Sequence, residues 1–246
     1  MNDYITFIIF PIAITAFAYW GTSFLWFILD FAIAPEHRVN KYPIDWNLYK
    51  KTALHVFYMQ MSVTPVVMYT LIPVWKYIEI NTTLWDLFTF YTAIKLLITP
   101  VLSDITFYYL HRITHLSFFY KNVHQLHHEW KTPSAVCAAY TTYYEFTFCN
   151  LPTFLLPVFI LRLNWYAANL WFIFATVNVV NDHSGYVFFE RSVHHALHHK
   201  FVNYNYGSKY LDIINGTIIK YIQNKKSKYM QKTKLQNIQK TKHTKK

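Results

Sequence analysis

The chain has 246 residues, of which 54% are hydrophobic, 20% aromatic and only 14% charged, with a formal net charge of +11. Soluble domains carry about 25% charged residues, so the deficit argues against an ordinary water-exposed globule and points to lipid as a solvent. The mean hydropathy of +0.12 keeps a large part of the chain outside hydrocarbon, and the positive charge gathers in a terminal tail on an apolar body, which does not read as a nucleic-acid stripe.

A helix needs about 20 apolar residues to cross a bilayer. Ile5 to Leu29 is uncharged and is expected to form the first span. Met1 to Phe10 lacks the basic start of a signal peptide, so the run reads as a retained anchor. Ala53 to Trp75 is the second expected span, with His55 near one end. Leu87 to Tyr109 is the third, although it carries Lys95 and Asp104. Phe146 to Leu161 and Trp165 to Val180 are shorter and read as a hairpin that dips into the bilayer and returns. Pro152 and Pro157 are expected to kink its first arm. The two cysteines, Cys137 and Cys149, sit in apolar surroundings and read as packing residues.

Loop charges orient these spans. Arg38, Lys41, Lys50 and Lys51 put the first loop in the cytosol, and the segment from His111 to Lys131 is basic again. Both histidine-rich segments then face the cytosol. From Lys220 to Lys246 there are ten lysines and no acid. Residues 223–246 read as a low-complexity, disordered tail at the membrane surface. Residues 1–222 are expected to form one membrane-embedded domain, its histidine-rich region running from about 104 to 217.

Ten of the thirteen histidines fall between His111 and His199. His111 and His115 are four apart. His124, His127 and His128 have offsets i, i+3 and i+4, and His195, His198 and His199 repeat them. On a helix each set shares one face. Clustered imidazoles left unpaired at a membrane face would be costly to desolvate, and metal coordination satisfies them together. Imidazole suits zinc, copper, iron and nickel. Eight or more ligands exceed the four of one structural zinc, so two metals are implied. Neutral imidazoles cancel none of the metal charge, so nearby acids should support the ligands. Asp104, Glu129, Glu145 and Asp182 are available, and Asp104 stands out as an acid in an apolar helix two turns before His111.

The pattern resembles the fatty acid hydroxylase and sterol desaturase superfamily of membrane di-iron enzymes. The likeness runs from Asp104 to Thr217. It covers His111-Arg112 with His115, Tyr120-Lys121, His124 with His127-His128-Glu129, Pro133, Tyr140 and Glu145. It continues through His183-Ser184-Gly185-Tyr186, His194-His195 with His198-His199, Asn205-Tyr206-Gly207, Asp212 and Gly216-Thr217. The likeness is greatest to the C-4 methylsterol oxidase and cholesterol 25-hydroxylase branches. It implies an all-α integral membrane protein, a transmembrane helix bundle beneath a cytosolic, histidine-rich catalytic cap. It implies that His111, His115, His124, His127, His128, His195, His198 and His199 bind two iron ions, with His183 and His194 as ninth and tenth ligands. Asp104, Glu129 and Asp182 are the acids expected to support them. The chain departs from methylsterol oxidases at Thr141-Thr142, where they carry a further histidine, and at Leu211 and Asn215.

The activity so implied is hydroxylation of a lipid, sterol or fatty-acyl, with O2. Breaking an unactivated C–H bond exceeds what side-chain acids and bases achieve, so a metal must carry it. No flavin or nicotinamide fingerprint appears, so electrons come from outside. The resemblance implies NAD(P)H, a reductase and a cytochrome b-type carrier as donors, and, in a eukaryotic cell, residence in the endoplasmic reticulum membrane. Acidic carriers would be steered by the basic tail. A desaturase of the same superfamily shares the metals. A membrane metal transporter would place ligands midway through its spans, whereas these boxes flank apolar runs. A non-catalytic lipid-binding protein has no need of ten clustered histidines.

Overall fold

The computed structural model describes residues 3–32, 37–40 and 43–219. The expected tail over 223–246 lies outside the described residues, as does Lys41 of the first loop. The described residues are all-α apart from one isolated antiparallel pairing of Arg38 with Tyr186. Among the described residues three helices are long and apolar enough to cross a membrane: α1 (Ile5–Ala32), α4 (Phe90–Thr114) and α5 (Tyr143–Leu161). Their large side chains face outward, as Phe17 (83% exposed) and Leu97 (75%) do, which suits a lipid solvent.

The second expected span is two helices, α2 (Trp46–Thr70) and α3 (Ile72–Tyr77). The break falls at Leu71, and proline follows at the start of α3, where a missing N–H costs least. α2 is not among these apolar helices, because His55 and Gln60 lower the hydropathy of its otherwise uncharged stretch. The first arm of the expected hairpin is longer than its apolar run, because the helix starts at Tyr143 and passes through a π-turn at Phe146–Asn150. Its partner is α6 (Trp165–Asp182). Arg162 in the left-handed region ends α5, and the Asn164 side chain caps α6 by accepting from the N–H groups of Tyr166 and Ala167. Lys95, the cation in the third span, donates to the Arg162 carbonyl at 3.0 Å and so settles at that hairpin tip.

α1 packs on α6 and α4 on α5. Two apolar cores result. One gathers Phe7, Met68, Trp75, Val158 and Phe172 at the end far from the histidines. The other gathers Tyr19, Trp26, Val56, Val136, Cys137 and Tyr186 beneath a cap built from residues 115–142 and 183–219. The cap also holds α7 (Glu190–Phe201) and α8 (Lys209–Ile214). Polar tips of aromatic rings pin the bundle to it. Tyr19 Oη donates to the Val136 carbonyl and Trp130 Nε1 to Thr52 Oγ1, both at 2.8 Å.

A buried ion pair closes the joint. Arg38 Nη1 lies 2.6 Å from Asp30 Oδ1, with both side chains 3% exposed or less. Arg38 Nη2 also donates to the Pro133 carbonyl, while Tyr186 and Ser134 donate to Asp30. Gly185 has φ +75, and a Cβ there would lie 2.5 Å from the Pro133 oxygen, so glycine is what lets these strands of chain meet.

Candidate metal centre

α4 delivers His111 in its last turn and His115 at its cap. The following turns present His124, His127 and His128. His183 caps α6, and α7 supplies His195, His198 and His199. These nine side chains converge on one place. His111, His115, His124, His128 and His198 offer ligand atoms within 4.8 Å of one another, and His127, His183, His195 and His199 form a second such group. The groups adjoin, with the His128 and His199 rings 4.8 Å apart. Each three-histidine box is shared. Its i and i+4 members enter one group and its i+3 member the other.

Hydrogen bonds fix which ring nitrogen is free. The Nδ1 atoms of His183, His198 and His199 each lie 2.7 Å from a backbone carbonyl, of Val179, Tyr204 and Trp130 respectively. His111 Nδ1 lies 2.5 Å from the Tyr206 carbonyl. A carbonyl only accepts, so Nδ1 carries the proton and Nε2 is left as a lone pair. His124 Nδ1 donates to Glu145 Oε1 at 2.7 Å.

The bare Nε2 atoms then face one another. His111 and His124 are 3.1 Å apart, and His127 and His183 are 3.3 Å apart. Two acceptors at that distance repel unless a cation lies between them. Ligands about 2.1 Å from one ion, at ordinary coordination angles, sit about 3.0–3.4 Å apart. The donor set therefore fits two metal ions, held by imidazole alone.

Burial supports the same protonation state. Desolvation, then the neighbouring His111, lowers His128 to about 3, and desolvation lowers His183 to about 4. His124, His127, His195, His198 and His199 also lie well below the ordinary range, from burial first and neighbouring imidazoles second. The unfolded chain takes up these protons from about pH 6.5 downward, whereas the fold refuses them. Stability is thus fully present above about pH 6.5 and is lost as pH falls toward 4. Chelator-treated protein should melt at progressively lower temperature between those values. A melting temperature unchanged from pH 7 to pH 5 would contradict this protonation scheme.

Not every expected residue joins. His194 lies in neither group; its Nε2 pairs with Asp212 Oδ2 at 2.9 Å, because it sits at the edge of the arc that α7 turns inward. Among the three expected acids, Asp182 pairs with Arg191 at 2.9 Å and Asp104 lies 3.9 Å from the same guanidinium. Glu129 binds Lys51 and Tyr140. None of the three has a hydrogen bond to a grouped histidine among the described residues, since each has a cation within closer reach.

Two other acids reach the shell. Glu145 does so directly. Asp212, wholly buried, accepts from the backbone N–H groups of Tyr206 and Gly207 and from Thr217, and so steadies the strand of chain whose carbonyls hold His111 and His198. For Glu145 a signal existed, an acid at the head of an apolar run. For Asp212 the signal was its place in the family resemblance, beside Asn205-Tyr206-Gly207 and Gly216-Thr217.

A cavity of about 310 Å³ runs from this centre into the bundle. His111, His124, His127, His183 and His195 line one end, and Ile12, Met68, Leu155, Trp171 and Phe172 line the other. His111 and Pro100 both lie on its wall, which over eleven residues of helix gives a depth of about 16 Å.

Residues 96–217 match the family model described as fatty acid hydroxylase. Fatty acid hydroxylase domain-containing protein 2 of Homo sapiens is 25% identical over 241 residues, covering 91% of this chain and 70% of the relative. A very-long-chain aldehyde decarbonylase of Oryza sativa is 26% identical over 206 residues, covering 76% of each. A methylsterol monooxygenase of Arabidopsis thaliana is 31% identical over 135 residues, covering 48% of this chain and 49% of the relative. No solved structure matches.

Proposed function

The chain belongs to the fatty acid hydroxylase and sterol desaturase superfamily, and from that premise we propose that it is a membrane-bound di-iron oxygenase that hydroxylates a lipid of sterol or fatty-acyl type. The observation that carries the reading is the pairing of two imidazole groups with an apolar cavity that ends on them. Iron bound there supplies O2 activation and an oxidant equal to an unactivated C–H bond. One oxygen atom enters the substrate and the other leaves as water, with two electrons and two protons drawn from outside.

The residues supply the rest. The histidines bind through Nε2, and their anchored Nδ1 atoms fix each ring against rotation. Glu145 holds the Nδ1 proton of His124. The aromatic and aliphatic wall of the cavity excludes water and aligns the hydrocarbon. Asp104 and Asp182, with Arg191, line the same cavity, and we assign them to its charged wall, with an indirect influence on the metals. Electrons come from NAD(P)H through a reductase and a cytochrome b-type carrier. In a eukaryotic cell the setting is the endoplasmic reticulum membrane, with the cap in the cytosol.

Expression in a host lacking such enzymes, followed by profiling of sterols and fatty acyl chains, tests the reading. A new product one oxygen heavier than a host lipid is expected. A product lighter by two hydrogens instead would assign the chain to desaturation, and metal uptake into vesicles with no O2 consumption would assign it to transport.

A further inference from the structure

Three polar side chains on the cavity wall, deeper in the bundle than the histidines, have hydrogen-bonding capacity to spare. Gln60 of α2 accepts from Trp20 Nε1 at 2.9 Å. An indole N–H only donates, so the amide oxygen faces it and both N–H groups of Nε2 are left over. They have no hydrogen-bond partner among the described residues. Thr64 stands one turn further along α2 and Thr176 lies on α6, and neither hydroxyl is hydrogen-bonded among the described residues. Helix threonines can return their proton to the carbonyl one turn before, as Thr15, Thr99, Thr106 and Thr153 do. Thr176 is 6% exposed, yet its oxygen is not sealed in packing as Thr141 Oγ1 is. The cavity that it lines gives that access. Buried polar groups are nearly always satisfied, so an open set on a cavity wall points to a polar group brought by the occupant.

Gln60 and Thr176 share one depth. α1 and α6 run side by side in the same direction, with Phe10 against Trp165 and Trp26 bonded to Asn181, both contacts joining residues 155 apart. That register brings Trp20, the partner of Gln60, level with Ala175. Thr176 precedes His183 by seven residues of α6, which is about 10 Å of helix. Resting on the proposed oxygenase reading for its substrate role, we infer that Gln60 and Thr176, with Thr64, form a polar belt that takes a neutral oxygen atom, hydroxyl or carbonyl, carried partway along a lipid. The amide donates to that oxygen, and the threonine hydroxyls donate or accept. Arg191, the cationic side chain on the cavity wall, is already paired with Asp182, so a carboxylate at the belt would lack a counter-charge. The belt also sets the register of attack. It holds the oxygen about 10 Å short of His183, so the carbon presented to the metals lies many bonds away from it.

Probes of one chain length test the belt in the metal-loaded, full-length protein in lipid nanodiscs, with binding referred to protein-free discs. Octadecan-9-one and octadecan-9-ol carry the oxygen mid-chain, octadecan-2-one carries it near the end, and octadecane has none. At least one mid-chain probe should bind about tenfold more tightly than octadecane, the worth of a hydrogen bond to an otherwise unpaired group. Octadecan-2-one should gain less. Gln60→Met and Thr176→Val should each cut the mid-chain preference severalfold, and Thr176→Ser should keep it. Gln60→Met also loses the bond to Trp20, so Thr176→Val, which breaks no hydrogen bond among the described residues, decides the matter if the first variant folds poorly. Absence of a mid-chain preference in the parent protein, or an undiminished one in both variants, would overturn the belt. Metal content measured on the same samples separates the two readings. Two metals without the preference sink only the belt, whereas absence of metal sinks the oxygenase reading and leaves the binding comparison standing.

Discussion

Replacing His127 with alanine is expected to leave one metal ion per chain and to lower turnover by more than about a hundredfold, beyond the loss typical of an outer-shell partner. His124→Ala should also leave one ion, but the other one. His124 belongs to the five-histidine group and His127 to the four-histidine group, although they are one helical turn apart. Cobalt substitution separates the two variants, because the surviving sites differ in ligand number and so in visible spectrum. His194→Ala should retain both ions, since that ring faces Asp212. Elemental analysis reads all three. Two ions retained in both His124→Ala and His127→Ala would show that the groups are not the binding sites.

The second large effect concerns stability. Arg38→Met strands the Asp30 carboxylate in a site where it is 1% exposed, leaving hydrogen bonds from Tyr186 and Ser134 but no paired cation among the described residues. Removing one partner of a buried pair costs about 3–5 kcal/mol, because an uncompensated charge stays behind. For a chain of this size each kcal/mol moves the melting temperature by about 2–4 °C, so a drop of about 10 °C is expected in detergent or nanodiscs. The double variant Asp30→Asn with Arg38→Met should recover much of the loss, since it removes the stranded charge. If the double variant melts as low as the single one, the joint depends on the lost Pro133 and Tyr186 contacts more than on the charge.

Much of the architecture was legible because its causes are local. Uncharged runs select helices, and offsets of three and four put histidines on one face whatever the fold does elsewhere. The third span was read as ending at Tyr109, whereas α4 continues to Thr114 and carries His111 inside its last turn. Polar residues hid that extension, because the helix keeps its geometry where its lipid-facing stripe gives way to a ligand-bearing face. The acids were less legible. An apolar context flags Asp104, but a carboxylate, there or at Asp182, takes the nearest cation. That cation, Arg191, comes from another helix.

By itself the sequence determined the helical class and the clustering of histidines, since both follow from residue type and short spacing. Only the tertiary structure decided how nine of the rings divide between two groups, that His194 turns to Asp212, and that Glu145 holds a grouped histidine by a hydrogen bond. Those outcomes depend on the relative rotation and depth of α4, α6 and α7. Packing over more than 80 residues of chain sets that rotation, and no local periodicity encodes it.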